Sequence, residues 1–277
     1  MQTGVAFKET ADTVVTGDIR LPAIITIPKT QDDAPIVVMV HGSGALDHDE
    51  TVYSNKPFRD IAEGLAKAGI GTLRYDKRTF VYRQPVKSME EETILDALSA
   101  ISLAHKYSHH VYLLGHSLGA MLAPEIAYRA KSQLEGIIMM AAPARDLEEV
   151  VREQFDYLLP SGASSSYKEQ QIENLRQRSP HYLQPQDQVE RARQADIPML
   201  ILQGERDYQV TMQDFRLWQQ SLKGYDDVLF RSYPTLNHIF MEGEGKSTPL
   251  EYQMNGHIAE YVLKDIADFV NKDRNYE

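Results

Sequence analysis

The chain has 277 residues, of which 42% are hydrophobic, and this is enough to bury one large core. Its 29 basic and 40 acidic side chains give a net charge of −11, and a surface this acidic would repel the phosphate backbone of a nucleic acid. The chain contains no cysteine, which excludes disulfides, thiolate metal ligands and cysteine nucleophiles.

No run in the sequence approaches the roughly 18 apolar residues that a bilayer span needs, and the N-terminus has no basic segment followed by an apolar one. We therefore expect no membrane partner and a cytoplasmic protein by default. A secreted protein whose signal peptide has been removed would look the same, since a chain without disulfides folds in either place. The oligomeric state is left open, with a homodimer among the arrangements that the sequence allows.

Short apolar runs of strand length alternate with longer stretches of helical period. The predicted strands cover residues 23–27, 36–40, 71–74, 111–114, 136–140, 199–202 and 228–232. The predicted helices cover residues 57–68, 90–107, 118–131, 212–222 and 257–270. This alternation is typical of a mostly parallel sheet with helices on both faces.

Residues 144–195 interrupt the alternation. They contain no clear strand, are rich in Glu, Gln, Arg and Tyr, and include a turn-forming run at residues 160–163. We interpret this stretch as a mostly helical cap, inserted between two strands of a single domain that spans residues 1–277.

The strongest chemical signal is a short strand-like run that leads into Gly115, His116, Ser117, Leu118 and Gly119, followed by a helical stretch. A tight turn from strand to helix strains the central residue and exposes its side chain, and glycines two positions away on either side leave room for the turn. The adjoining helix N-terminus favours developing negative charge. Ser117 is therefore predicted to be a nucleophile.

A serine hydroxyl needs a base within hydrogen-bonding reach, and this motif is typically followed by an acid and then a histidine, each in a loop after a later strand. Only His181, His238 and His257 follow Ser117. His181 lies in the predicted cap and His257 begins a predicted helix, which favours His238, in the loop after the last strand, as the general base.

Two carboxylates, Glu205 and Asp207, share the loop after the preceding strand. Asp207 is preferred as the acid that orients His238, because Glu205 follows the strand too closely and can serve the hydrogen bonds of the loop itself.

An oxyanion hole needs two backbone N–H donors, one from the residue after the nucleophile and one from the loop after an early strand. Leu118 supplies the first. His41, Gly42, Ser43 and Gly44 follow a buried strand, and we assign the second donor to Ser43, with Gly44 as the alternative. His41 is interpreted as a structural residue that braces this loop.

These segments resemble the bacterial α/β-hydrolase serine esterases, in the broad group near dienelactone hydrolase and the acyl-aminoacyl and prolyl peptidases. The resemblance rests on HGSG at 41–44, residues 55–78, GHSLGAMLAP at 115–124, residues 141–154, GERDYQV at 204–210 and NH at 237–238. It implies an α/β-hydrolase fold with about eight strands, and hydrolysis of carboxylic esters with short or aromatic acyl groups through an acyl-serine intermediate, with no cofactor and no metal. The peptidase relatives usually carry a different sequence after the nucleophile and a propeller domain, for which this chain has no room.

Several residues near the predicted site are open to more than one interpretation. The cluster Asp47, His48, Asp49 and Glu50 is compatible with a metal site but is better interpreted as lining the pocket or pinning the oxyanion loop. Arg78 is expected either to pair with Asp76 and this cluster or to bind substrate. His116 and Gly44 are further candidates for substrate contacts.

The same predicted triad would serve a thioesterase or an acyltransferase, because the choice depends on pocket shape and on access of water. A ligand-binding module without catalysis is the alternative from another class. All three predicted triad members are present in the expected order, which favours the enzyme.

Overall fold

The computed structural model describes residues 7–29, 33–159 and 165–272, and its centre is a sheet of eight strands. The strands are β1 (Phe7–Thr16), β2 (Ile19–Pro28), β3 (Ile36–Val40), β4 (Gly71–Tyr75), β5 (Val111–His116), β6 (Gly136–Met140), β7 (Met199–Gly204) and β8 (Val228–Tyr233). They lie side by side in the order β1-β2-β4-β3-β5-β6-β7-β8. Only β2 runs antiparallel to its neighbours, β1 and β4, so the predicted mostly parallel sheet is confirmed.

Helices cover both faces of this sheet. They are α1 (Pro57–Lys67), α2 (Arg78–Tyr82), α3 (Leu95–Ala104), α4 (Leu118–Ala130), α5 (Leu147–Leu158), α6 (Ser165–Arg178), α7 (Gln188–Ala195), α8 (Met212–Ser221) and α9 (Glu260–Val270). On β3, Ile36, Val38 and Val40 face a core shared with α3, α4 and α8, whereas Val37 and Met39 face a second core shared with α1 and α9. Every residue of β3 is buried, which is why its sequence is a continuous apolar run rather than an alternating one.

Strand β1 is the strand that the sequence did not predict. Of its ten residues only Val14 is buried, so its sequence lacks the apolar run by which the other strands were recognised. It is an edge strand, joined to β2 by a turn in which Gly17 adopts a φ of +58°.

The last helix begins later than predicted. Residue 257 was expected to start it, but α9 begins at Glu260. The preceding backbone is held in a non-helical path because Asn55 accepts the N–H of Gly256 and Asp60 accepts that of Ile258, at 2.9 and 3.1 Å.

Between β6 and β7 the described residues form the helices α5, α6 and α7 and a short 3₁₀ turn, Pro180–Leu183. Helix α7 packs against α4, the helix that follows the predicted nucleophile. Residues 160–163, predicted as a turn, lie outside the described residues. That this segment is a cap within a single domain stays a prediction.

Over the described ranges, no helix is both long enough and apolar enough to cross a membrane.

Candidate active site

Ser117 occupies the turn between β5 and α4. Its backbone φ of +53° is one that residues other than glycine rarely adopt. The two glycines of the motif are required by close backbone contacts. A Cβ at Gly115 would lie 2.3 Å from the carbonyl oxygen of Gly119, and a Cβ at Gly119 would lie 2.2 Å from that of Val40. The turn is therefore tight enough to hold Ser117 at the carboxyl edge of the sheet.

Asp207 and His238 follow β7 and β8 and lie in contact with each other. The Nδ1 of His238 is 2.7 Å from Asp207 Oδ2, and because an ionised carboxylate only accepts, Nδ1 carries the proton. The other carboxylate oxygen accepts the N–H groups of Gln209 and Val210 at 2.7 and 3.0 Å, which fixes the orientation of Asp207. Glu205, the alternative acid, instead accepts the hydroxyl of Ser232 at 2.8 Å.

The Nε2 of His238 makes no hydrogen bond to another described residue, and neither does the hydroxyl of Ser117. Both residues line one cavity of about 210 Å³. We call it the histidine cavity; it is lined by Glu50, His116, Ser117, His238, Ile239 and Tyr252, among others. Hydrogen bonds between catalytic groups commonly tighten only when substrate binds, so this arrangement suits a serine and its base.

A second cavity, of about 190 Å³, begins at the same serine. We call it the α5 cavity; its lining includes Ser43, Ser117, Leu118, Leu147, Val150, Val151, Leu175, Tyr182 and Val210. Helices α5 and α6 supply most of its apolar side chains.

The oxyanion loop, residues 42–44, has only one N–H group free of described partners. The N–H of Gly42 donates to Glu50 at 2.7 Å, and that of Gly44 donates to the hydroxyl of Tyr182 at 3.0 Å. The N–H of Ser43 has no partner among the described residues, and the same is true of Leu118 at the start of α4. These are the two predicted oxyanion donors, and both residues line the α5 cavity.

Comparison with known proteins agrees with this architecture. The sequence profile of the alpha/beta hydrolase fold matches residues 35–165. Esterase EstD of Thermotoga maritima is 43% identical over 95% of this chain and 68% of its own length. The chain belongs to the α/β-hydrolase family.

Solved α/β-hydrolase structures share the fold at low sequence identity. The Pyrococcus furiosus esterase Pf2001 has a TM-score of 0.65 at 16% identity, over 96% of this chain and 91% of that one. The proline iminopeptidase of Mycobacterium smegmatis has a TM-score of 0.65 at 18% identity, over 97% of this chain and all of that one. At such identities the likeness concerns the fold alone.

His116, predicted as a substrate contact, is buried next to His238. Its Nε2 donates to the carbonyl of His238 at 2.9 Å, and its Nδ1 lies 3.0 Å from Glu50 Oε2. Neither Nδ1 nor Oε2 has a hydrogen-bond partner among the described residues, so their approach is that of an ion pair without hydrogen-bond alignment. Burial disfavours the charged forms, but the facing charge outweighs it: the pKa of His116 is raised and that of Glu50 lowered.

The acidic cluster at residues 47–50 is used in structural contacts. Arg74 pairs with Asp49, the ring of His48 lies 2.7 Å from Asp76, and Glu50 holds the oxyanion loop. Among the described residues, no group of three or more His, Cys, Asp or Glu side chains is arranged to hold a metal ion.

The predicted pairing of Asp76 with Arg78 is wrong. Asp76 accepts the backbone N–H of His48 as well as contacting its ring, whereas the Arg78 guanidinium forms two hydrogen bonds with Asp96 of α3, at 2.7 and 2.6 Å. Arg78 lines neither cavity at Ser117, so these contacts give no support to its predicted role in binding substrate.

Sequence reasoning missed a buried brace behind the oxyanion loop. Lys77 donates to the carbonyl of Gly42 at 2.8 Å and pairs with Glu92 at 2.7 Å. Glu92 also accepts the hydroxyl of Tyr182 at 2.7 Å, the same hydroxyl that receives the N–H of Gly44. Glu92 lies in a π-helical turn, a feature that recurs at functional sites, but its acidic surroundings in the sequence are those of an exposed helix start.

His41 braces the start of the oxyanion loop, as predicted. Its Nε2 lies 3.0 Å from the carbonyl of Asp47, which makes it a donor, and its ring packs between Phe58 and Tyr75 at 5.2 and 5.3 Å between centroids. Burial lowers the pKa of His41 from 6.5 to about 4.

This shift predicts an acid-sensitive fold. The unfolded chain takes up a proton on His41 near pH 6.5, whereas the folded protein accepts it only near pH 4. The contribution of the neutral ring to the free energy of unfolding is therefore complete above pH 6.5 and is lost as the pH falls towards 4. It amounts to about 3 kcal/mol over the full window. His41→Gln removes the titration and keeps a donor. We expect urea unfolding to show that the free energy of unfolding of wild type, relative to that of this variant, falls by about 2 to 3 kcal/mol between pH 7 and pH 4.5. A difference that does not change with pH would contradict the assignment.

Proposed function

We propose that this α/β-hydrolase cleaves carboxylic esters, with Ser117 as nucleophile, His238 as general base and Asp207 as the acid that orients it. The observation that carries the proposal is the Asp207–His238 contact of 2.7 Å, which leaves His238 Nε2 free in a cavity shared with Ser117. The relationship to esterase EstD, at 43% identity over nearly the whole chain, supports an ester as the substrate.

The proposed reaction has two halves. His238 Nε2 takes the proton of Ser117 as the serine oxygen bonds to the ester carbonyl carbon, and the N–H groups of Ser43 and Leu118 bind the resulting oxyanion. The bond to the alcohol oxygen then breaks, and His238 returns the proton to the departing alkoxide. Water repeats these steps on the acyl-serine and releases the carboxylic acid and the free enzyme.

The two cavities divide the substrate between them. Because the departing alkoxide must reach the proton on His238, the alcohol part belongs in the histidine cavity. The acyl part then occupies the α5 cavity, and helices α5 and α6 act as the cap over it. If one carbon group fills about as much space as a water molecule, ~30 Å³, the 190 Å³ of the α5 cavity takes an acyl chain of roughly six carbons.

This division predicts a chain-length profile. With p-nitrophenyl esters from acetate to octanoate, kcat/KM should rise up to about the hexanoate and fall for the octanoate. Val151→Trp, which fills the α5 cavity, should move the preference to acetate. Leu158→Trp is the matched control, because Leu158 is an exposed residue of the same helix that lines neither cavity.

Reaction with a fluorophosphonate probe tests the serine mechanism independently of the acyl group. Labelling of wild type on the peptide that contains Ser117 is expected. Folded wild-type protein that neither reacts with the probe nor hydrolyses any of these esters would overturn the proposal and favour a binding module.

A further inference from the structure

The carboxylate of Glu50 lies where three loops of the active site meet. One oxygen accepts the N–H of Gly42 in the oxyanion loop at 2.7 Å. The other lies 3.0 Å from His116, the residue next to the nucleophile. His116 in turn donates to the backbone carbonyl of His238 at 2.9 Å. Glu50 and His116 together thus link the oxyanion loop, the nucleophile turn and the loop of the general base.

The pair formed by Glu50 and His116 is costly to fold, which argues against a role in packing alone. Glu50 is 2% exposed and His116 is 6% exposed, so both groups have lost most of their hydration. Glu50 also adopts a φ of +52°, a conformation that a glutamate keeps only when its surroundings impose it. Strain and buried charge together are typical of functional sites.

We propose that Glu50 and His116 are positioning residues, which fix the Ser43 N–H and the imidazole of His238 relative to Ser117. The inference rests on the serine mechanism proposed above. Glu50 fixes the position of the N–H of Gly42, the residue directly before Ser43. His116 fixes the backbone carbonyl of His238, whose ring is oriented by Asp207. Neither Glu50 nor His116 takes a proton from substrate or gives one to it.

Such a linkage matters because transition-state stabilisation depends steeply on geometry. Donors of an oxyanion hole act only when they are aimed at the charge that develops, and a displacement of about 1 Å can cost on the order of 100-fold in rate. Binding of the ground-state ester depends mainly on the two cavities. Loss of the linkage should therefore lower kcat and leave KM nearly unchanged.

Three variants and their combination test the proposal. Glu50→Ala and His116→Ala should each lower kcat on p-nitrophenyl butyrate by on the order of 100-fold, and KM should change by less than about threefold. Glu50→Gln should lose only about 10-fold, because its amide oxygen still accepts the N–H of Gly42. The double variant Glu50→Ala/His116→Ala should be no slower than the slower single variant, because each residue holds the other in place across their 3.0 Å contact and either alanine therefore loosens both loops.

Two further readouts separate positioning from a loss of folded protein. Rates are divided by the fraction of sites that a fluorophosphonate probe labels, so that unfolded molecules do not count. Inhibition by an aryl trifluoromethyl ketone, which forms a tetrahedral adduct on the serine, should weaken in proportion to the loss in kcat. Asp49→Asn is the matched control. Asp49 is the residue before Glu50, and its side chain pairs with Arg74 and Lys56 and with none of the three loops. This substitution should lower the melting temperature and leave kcat per labelled site unchanged.

The outcomes distinguish this proposal from the proposed function. If wild type reacts with the probe and turns over ester, but Glu50→Gln and His116→Ala keep kcat per labelled site within about threefold of wild type, the positioning role is wrong and the serine mechanism stands. Effects of the two alanine variants that simply multiply in the double variant would also overturn it. If wild type neither labels nor turns over ester, both proposals fall together. Should Glu50→Ala not fold, Glu50→Gln and His116→Ala still decide the matter.

Discussion

Ser117→Ala is expected to lower kcat for ester hydrolysis by about 10⁴- to 10⁶-fold while leaving the fold intact. The substitution removes the oxygen that forms the acyl intermediate, so what remains is the binding of substrate and of its oxyanion by Ser43 and Leu118. The φ of +53° at this position strains alanine as it strains serine, so we expect the free energy of unfolding to change by less than about 1 kcal/mol.

The measurement pairs steady-state kinetics on p-nitrophenyl butyrate with urea unfolding of the same preparations. Ser102→Ala is the matched control, since Ser102 lies exposed on α3 and its hydroxyl donates to the carbonyl of Leu98 in the same helix. A Ser117→Ala protein with undiminished activity and no loss of structure would remove Ser117 from the mechanism.

How well the sequence predicts a strand here depends on the strand's burial. Strands β3 and β6 are buried along their whole length, and their apolar runs predicted both boundaries correctly. Strand β1 lies at the edge of the sheet with a mostly exposed sequence, and it has no local signal that distinguishes it from a loop. Its position follows from pairing with β2, which is information that lies outside its own residues.

The same distinction holds within the site. The motif around Ser117 is local, because the close approach of Gly115 and Gly119 to neighbouring backbone is a property of one turn. That Asp207 and His238 lie together could be predicted because each follows a strand of recognisable sequence. The contact between Gly44 of the oxyanion loop and Tyr182 could not, since the two residues are 138 residues apart and no spacing rule links them.

Buried charges were the hardest residues to interpret from sequence. Arg78 and Asp76 are close in the chain, which suggested a pair, but a five-residue helix, α2, begins at Arg78 and carries its side chain towards α3. Glu50 was expected to line the pocket or to pin the oxyanion loop, and it accepts the N–H of Gly42 in that loop. Glu92 and Lys77 have the charged neighbours that are typical of surface residues, but both are buried and paired with each other. Their burial follows from the fold, and the pattern of the sequence carries no sign of it.

Asp207→Asn is expected to lower kcat by on the order of 10³- to 10⁴-fold, although the change replaces one oxygen by nitrogen. The N–H groups of Gln209 and Val210 hold one side-chain oxygen of residue 207, so the new amide nitrogen is left facing His238 Nδ1. An amide N–H there makes Nδ1 an acceptor and places the proton of neutral His238 on Nε2. In that tautomer Nε2 cannot take the proton of Ser117.

The tautomer argument separates Asp207 from the other carboxylate of its loop. Glu205→Gln should leave kcat within about threefold of wild type, because Glu205 contacts the exposed hydroxyl of Ser232 and not the histidine. Kinetics on p-nitrophenyl butyrate decide between the two carboxylates, with unfolding curves to show that both variants are folded. A large loss in Glu205→Gln with little in Asp207→Asn would exchange their roles. A large loss in Asp207→Asn alone would mean that His238 depends on a negative, accepting partner at Nδ1, as a general base for Ser117 requires.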